Sequence, residues 1–254
     1  MNRNLDISKI ILKRKDEFIF NLLGIDCFEN NTSPFRHYYN FIKKNGKKLE
    51  GDIFEFGVFK GKTLLAQAIL LKKYKINKKI YGFDNFKGFP NYHEYDSFKY
   101  LKYDKELYLN HLISKKIRKF IINKAISEKN ISQSLDFSIQ SKKELIRKIK
   151  FLKLDNIILV EGNFLETVPD FFKNYKKKIF SVNLDSDLYE SYKTILPIVY
   201  PKLVRNGYIH LDEYYSIKFP GAYIACSQFA KENNIKIRIN KTFDGEFKRY
   251  CIIK

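Results

Sequence analysis

Seven short apolar runs, most of them followed by a helical stretch, constrain this chain more than any other feature. They are Ile53–Phe56, Ile80–Phe83, Ile157–Val160, Ile179–Leu184, Tyr208–Leu211, Ile235–Ile239 and Tyr250–Ile253. Runs this short and this continuously apolar suit strands buried on both faces. Strands alternating with helices predict an α/β domain built on a mainly parallel sheet. The last two runs lie close together around Asp244-Gly245 and predict a terminal hairpin, which places an antiparallel strand near the C-terminus.

The rest of the chain is organised around these runs. Its 254 residues suffice for one large domain with a sizeable core. Residues 1–50 carry helical periodicity at Phe18, Leu22 and Leu23, then at Tyr38, Tyr39, Phe41 and Ile42, broken by the loop Asn30–Pro34. We read 1–50 as an N-terminal helical lid or cap and 51–254 as the main domain. Residues 91–161 contain neither Gly nor Pro, which predicts a helical insertion at about 91–150. Within it, residues 102–150 hold 13 basic and 5 acidic side chains. A solvated helix face or a basic wall over an anionic substrate would each account for them. His93 and His111 fall in or beside this stretch.

Charge is the second constraint. Forty-eight Lys and Arg against 28 Asp and Glu leave a net charge of +20, which invites a nucleic-acid partner. The excess is 40 Lys to only 8 Arg, with many Asn and Ile, the mixture that AT-rich codons produce. Sequence-reading contacts to bases usually need the Arg fork. A nucleic-acid partner is therefore not expected, although the charge keeps a nucleic-acid reading as the alternative. Three Cys are too few for a disulfide framework and have no paired metal spacing. No window approaches the roughly 20 apolar residues of a membrane span, and residues 1–24 have no signal-peptide apolar region. These features point to a reducing, cytoplasmic setting. A homo-oligomer is compatible with the sequence.

Three strand ends carry the chemistry. After the first run, Glu55-Phe56-Gly57-Val58-Phe59-Lys60-Gly61-Lys62-Thr63 turns a strand into a helix. Ligands of open α/β sheets bind at such ends. The spacing G-x-x-x-G is neither a dinucleotide fingerprint nor a phosphate loop, which excludes an NTPase. Asp84 ends the second run, where an acidic residue can take ribose hydroxyls or simply cap a turn. Asp185 and Asp187 follow the fourth run, and Asp212 and Glu213 the fifth. Carboxylates ending strands roughly 4.8 Å apart can share one cation. All-oxygen ligation favours Mg²⁺, Mn²⁺ or Ca²⁺ over zinc. His210 shares a strand face with Asp212 and reads as a core histidine or a support for the site. Cys27, Cys226 and Cys251 read as buried structural thiols.

As a set, these residues resemble the macrocin-type sugar O-methyltransferases of macrolide, aminocoumarin and polysaccharide pathways. Five segments carry the resemblance, in order: Glu55–Lys62, Gly82–Pro90, Glu161–Pro169, Leu184–Ser191 and Leu211–Tyr214, within a match from about Arg36 to Ala230. The resemblance implies a Rossmann-like methyltransferase sheet of seven strands that binds S-adenosylmethionine, with a divalent metal, usually Mg²⁺. It also implies a sugar or nucleotide-sugar acceptor, with a nucleic-acid methyltransferase using the same fold as the alternative that the net charge motivates. Carried over by position, Asp185, Asp212 and Glu213 would be metal ligands and Asp187 the general base. Glu55, Gly57 and Thr63 would lie along the methionine portion, Asp84 at the ribose, and Gly162 with Asn163 near the adenine. The chain departs from the family pattern at Lys62, at Asn85, at Glu213 in place of Asp, and in the length of the stretch between Pro90 and Glu161.

Overall fold

The computed structural model describes residues 19–97, 100, 116, 138, 141–216, 219–241 and 248–254. Seven strands form one sheet: β1 Asp52–Phe56, β2 Ile80–Asp84, β3 Ile157–Glu161, β4 Ile179–Leu184, β5 Leu203–Leu211, β6 Ile237–Asn240 and β7 Arg249–Ile253. Their order is β3-β2-β1-β4-β5-β7-β6. The first five pair in parallel, whereas β7 runs antiparallel to both β5 and β6. The fold is thus Rossmann-like, with the antiparallel strand where the terminal hairpin was expected. Residues 242–247, including Asp244-Gly245, lie outside the described residues.

Six helices are described: α1 Arg36–Asn45, α2 Lys62–Lys73, α3 Lys142–Phe151, α4 Phe164–Asn174, α5 Tyr189–Lys202 and α6 Pro220–Glu232. They cover both faces of the sheet. Side chains alternate across a strand, so Ile53, Phe180 and Tyr208 pack with α1, α2 and α3. Phe54, Phe56, Val182 and Ile209 pack with α4, α5 and α6. β1 and β4 are buried along their whole length, as central strands should be. β3 departs from the expectation of burial on both faces: Ile157–Val160 are half-buried because β3 is the edge of the sheet.

The N-terminal segment is described only from Ile19 onward. Helix α1 packs directly on the sheet, where the Tyr38 ring stacks on Tyr208 at 5.7 Å and its hydroxyl lies 3.0 Å from Ser181 Oγ. Most of residues 101–140 lies outside the described residues, His111 included. The part of the basic stretch that is described, α3, packs Leu145 under the β1–α2 turn and pairs Lys142 with Glu161 at 2.6 Å. No described helix is long and apolar enough to cross a membrane.

Candidate active site

The strand order reverses between β1 and β4. A cavity of about 460 Å³ opens there, at the C-terminal ends of the strands, and is bordered by the turns after β1, β2, β3, β4 and β5. Gly57, Thr63, Asp84, Gly162, Asn163, Asp185, Asp187, Asp212 and Glu213 all border it, so the structure brings together nine of the ten residues singled out from the sequence.

Glu55 is the exception. It is fully buried beneath the turn, where its carboxylate accepts the Thr63 hydroxyl at 2.7 Å and the Gln67 side-chain amide. Side chains alternate along β1, so Glu55 faces α2 rather than the cavity mouth. It holds Thr63 at the cavity wall from one layer below. Burial pushes its carboxyl up to about 7, against the lowering effect of the Thr63 and Gln67 bonds. Gln67 stands one helical turn after Thr63; this i, i+4 spacing was the signal that could have found it.

The β1–α2 turn is shaped by close approach. Gly57 has φ +91°, and a Cβ there would lie 1.6 Å from the Asp185 carbonyl oxygen. Only glycine fits. Asp84 Oδ2 accepts the amides of Val58 at 2.9 Å and Phe59 at 2.8 Å, and Oδ1 accepts Phe86 N–H at 2.7 Å. It therefore fixes the first turn as well as bordering the cavity. Asn163 caps α4 by accepting Leu165 N–H at 3.1 Å.

The carboxylates converge at the ends of β4 and β5. Oxygens of Asp185, Asp187 and Glu213 lie within 4.8 Å of one another. Asp212 stands beside them, hydrogen-bonded with Glu213, its Oδ1 3.3 Å from His210 Nε2 and 4.0 Å from Arg249 Nη1. His210 reaches it from the same strand, and the antiparallel pairing of β5 with β7 brings Arg249 beside the end of β5, next to the Leu211–Tyr250 pair. Tyr192, from α5, donates to Glu213 Oε2 at 2.8 Å. Burial, then the charges of Asp212 and Asp187, push the Asp185 carboxyl well above its usual range. Burial, then the charges of Asp185, Asp187 and Asp212, raise Glu213. Burial acts upward on Asp212 too, but His210, Glu213 and Arg249 outweigh it and hold that carboxyl below its usual range. Such mutual repulsion is what a cation relieves. Oxygens on Mg²⁺ at roughly 2.1 Å lie at most about 4.2 Å apart, so small side-chain rotations suffice to close this group around a divalent ion. The donor set fits Mg²⁺ or Mn²⁺.

His210 is a buried core residue and also Asp212's partner; its ring lies 5.9 Å from Tyr38 and 5.1 Å from Phe35. Cys226 and Cys251 are buried, as expected, and burial raises both thiols, whereas Cys27 is only half-buried. None of the described residues of the 102–150 stretch borders the cavity. Two bordering residues that sequence reasoning left unassigned are His93 and Glu190.

A doubly covered seven-stranded sheet with its cavity at the β1/β4 switch point defines a Rossmann-like methyltransferase. Solved structures share this fold. The O-methyltransferase NovP matches at TM-score 0.59 and 20% identity, over 84% of this chain and 75% of that one. The calicheamicin methyltransferase CalS11 matches at 0.55 and 21%, over 95% and 80%. An O-methyltransferase from Bacillus cereus in complex with SAH matches at 0.50 and 9%, over 97% and 92%. No curated protein matches the sequence. The family model for macrocin-O-methyltransferase (TylF) matches residues 35–246. The chain belongs to that family and is an O-methyltransferase.

Proposed function

We propose that this enzyme transfers a methyl group from S-adenosylmethionine to a sugar hydroxyl, assisted by a divalent cation. The observation that carries the proposal is the gathering of Asp185, Asp187 and Glu213 in the same cavity as the Gly57 turn. CalS11, which shares the fold, is described as a TDP-rhamnose 3'-O-methyltransferase, which supports a nucleotide-linked sugar as acceptor.

The cofactor supplies an electrophilic methyl on sulfonium, and a divalent cation supplies positive charge that makes a hydroxyl more acidic. The chain's own residues do the rest. Gly57, Thr63, Gly162 and Asn163 border the cavity where the cofactor would lie, and Asp84 would meet its ribose hydroxyls. Asp185, Asp212 and Glu213, which border the same cavity, would hold the cation. Asp187, beside Asp185 and Glu213, would accept the proton of the acceptor hydroxyl. Asp212, tied to His210 and Arg249, keeps a negative charge next to this group.

Methyl transfer to a set of nucleotide sugars, with and without Mg²⁺ or Mn²⁺, tests the proposal. The expected result is metal-stimulated transfer that Asp185→Asn abolishes. Full activity in excess chelator would remove the cation from the mechanism. Asp187→Asn should lose turnover yet keep the rise in melting temperature that Mg²⁺ produces in the parent; loss of that rise would make Asp187 a ligand instead of the base.

A further inference from the structure

The cavity wall beyond the carboxylates holds a pair of polar groups that the methyl-transfer chemistry leaves unused. His93, before the 3₁₀ turn Glu94–Asp96, and Glu190, in the first turn of α5, both border the cavity. Their heads are neighbours: His93 Nε2 lies 3.8 Å from Glu190 Oε1, too far for a good hydrogen bond. Both side chains are about one-third exposed, at 31% and 37%.

The tautomer of His93 follows from its cap. Its Nδ1 accepts Tyr95 N–H at 3.2 Å. In the neutral ring the proton therefore sits on Nε2, the atom facing Glu190. The wall thus presents an N–H donor beside a carboxylate acceptor. The ring is held by stacking on Tyr189, with centroids 4.4 Å apart at 27°.

A single buried carboxylate fixes both partners. Asp96 is 1% exposed; its Oδ2 accepts His93 N–H at 2.9 Å and its Oδ1 accepts Tyr189 N–H at 2.9 Å. The two backbones that carry the pair are thereby locked together. Gly221 of α6 closes the clamp, since a Cβ there would lie 2.0 Å from Asp96 Oδ1. Such preorganisation suits recognition better than chance exposure does. Glu190 follows β4, on the far side of the β1/β4 switch from the β2 and β3 turns that border the cofactor's side. Aromatic rings of Phe89, Tyr92 and Phe219 border the same cavity, with Phe89 5.8 Å from Tyr92 and 6.0 Å from Phe219.

We infer that His93 and Glu190 seat a vicinal diol of the acceptor sugar, Nε2–H donating to one hydroxyl oxygen and the carboxylate accepting from its neighbour. The aromatic rings then meet the sugar's C–H face. This inference rests on the proposed sugar methylation and names the acceptor subsite within it.

The test uses the full chain and the best acceptor from a panel of nucleoside-diphosphate hexoses, together with its monodeoxy analogues. His93→Asn keeps a cap acceptor for Tyr95 N–H but withdraws the Nε2 donor; Glu190→Gln keeps the shape and removes the charge. Each variant should raise the acceptor KM by about tenfold or more and leave the S-adenosylmethionine KM within about twofold. One monodeoxy analogue should be about tenfold worse than the parent sugar with the wild type, yet no worse with Glu190→Gln. An unchanged acceptor KM in both variants overturns the inference and leaves sugar methylation standing. So does a parallel rise in both KM values, which would mark a structural role, or an equal deoxy penalty in wild type and variants. A wild type that methylates no sugar in the panel overturns the sugar reading and this subsite with it.

Discussion

Gly57 and Glu55 show how much a single position decides in this site. A side chain at 57 must displace the backbone of Asp185 and also adopt a φ of +91°. We expect Gly57→Ala to cost at least about 3 kcal/mol of stability. Denaturant unfolding checks this, and a loss below about 1 kcal/mol would mean that the turn yields. Glu55 makes a prediction about pH. Its carboxyl is raised to about 7 from an ordinary 4.5, so the folded chain holds the proton more tightly than the unfolded one. That contribution is present in full below pH 4.5 and is lost as pH rises through 7. Relative to Glu55→Gln, the parent should lose on the order of 3 kcal/mol across that window. Parallel stability-against-pH curves for the two proteins would contradict it. The chemistry of these residues was legible in the sequence, because strand ends and Gly spacing are local. The layer that Glu55 occupies was not, because it depends on which face of β1 meets α2.

Elements here hold one another at their ends. The 3₁₀ turn Glu94–Asp96, α5 and α6 meet at the Asp96 carboxylate. Asp96→Ala leaves two backbone amides without their partner and should cost about 2–4 kcal/mol. Thermal melts of the variant, beside Asp96→Asn as the milder change, measure it; a loss under about 0.5 kcal/mol would mean that water replaces the clamp. The sequence did not mark Asp96 as a clamp, because only its bond to His93 is local and its other partner, Tyr189, is 93 residues away. Strand positions were more legible, with boundaries the weakest part. β5 begins at Leu203, five residues before the apolar run at Tyr208, because Arg205-Asn206-Gly207 interrupts the apolar pattern while Leu203 still pairs with Ile179. The β6 run begins at Ile237 rather than Ile235.

At the scale of the whole molecule, a net charge of +20 surrounds a cavity rimmed by acidic groups. Excess positive charge repels itself, and salt screens that repulsion over about 8–10 Å. The melting temperature should therefore rise between about 10 and 150 mM NaCl at fixed pH, where the Debye length falls from roughly 30 to 8 Å. A flat or falling trend would show that opposite charges already pair over the surface. The alternation of strands and helices, the strand ends that carry Gly and carboxylates, and membership of the sheet class followed from the sequence alone. All are set by neighbours within a few residues: periodicity decides burial, and burial decides strand or helix. Tertiary structure alone decided which carboxylates meet. Asp185, Asp187 and Glu213 gather with Asp212 beside them, and Arg249 reaches Asp212 because β7 returns antiparallel beside β5. It alone brought His93 to Glu190, since a contact across 97 positions depends on how the chain crosses the sheet and leaves no local pattern.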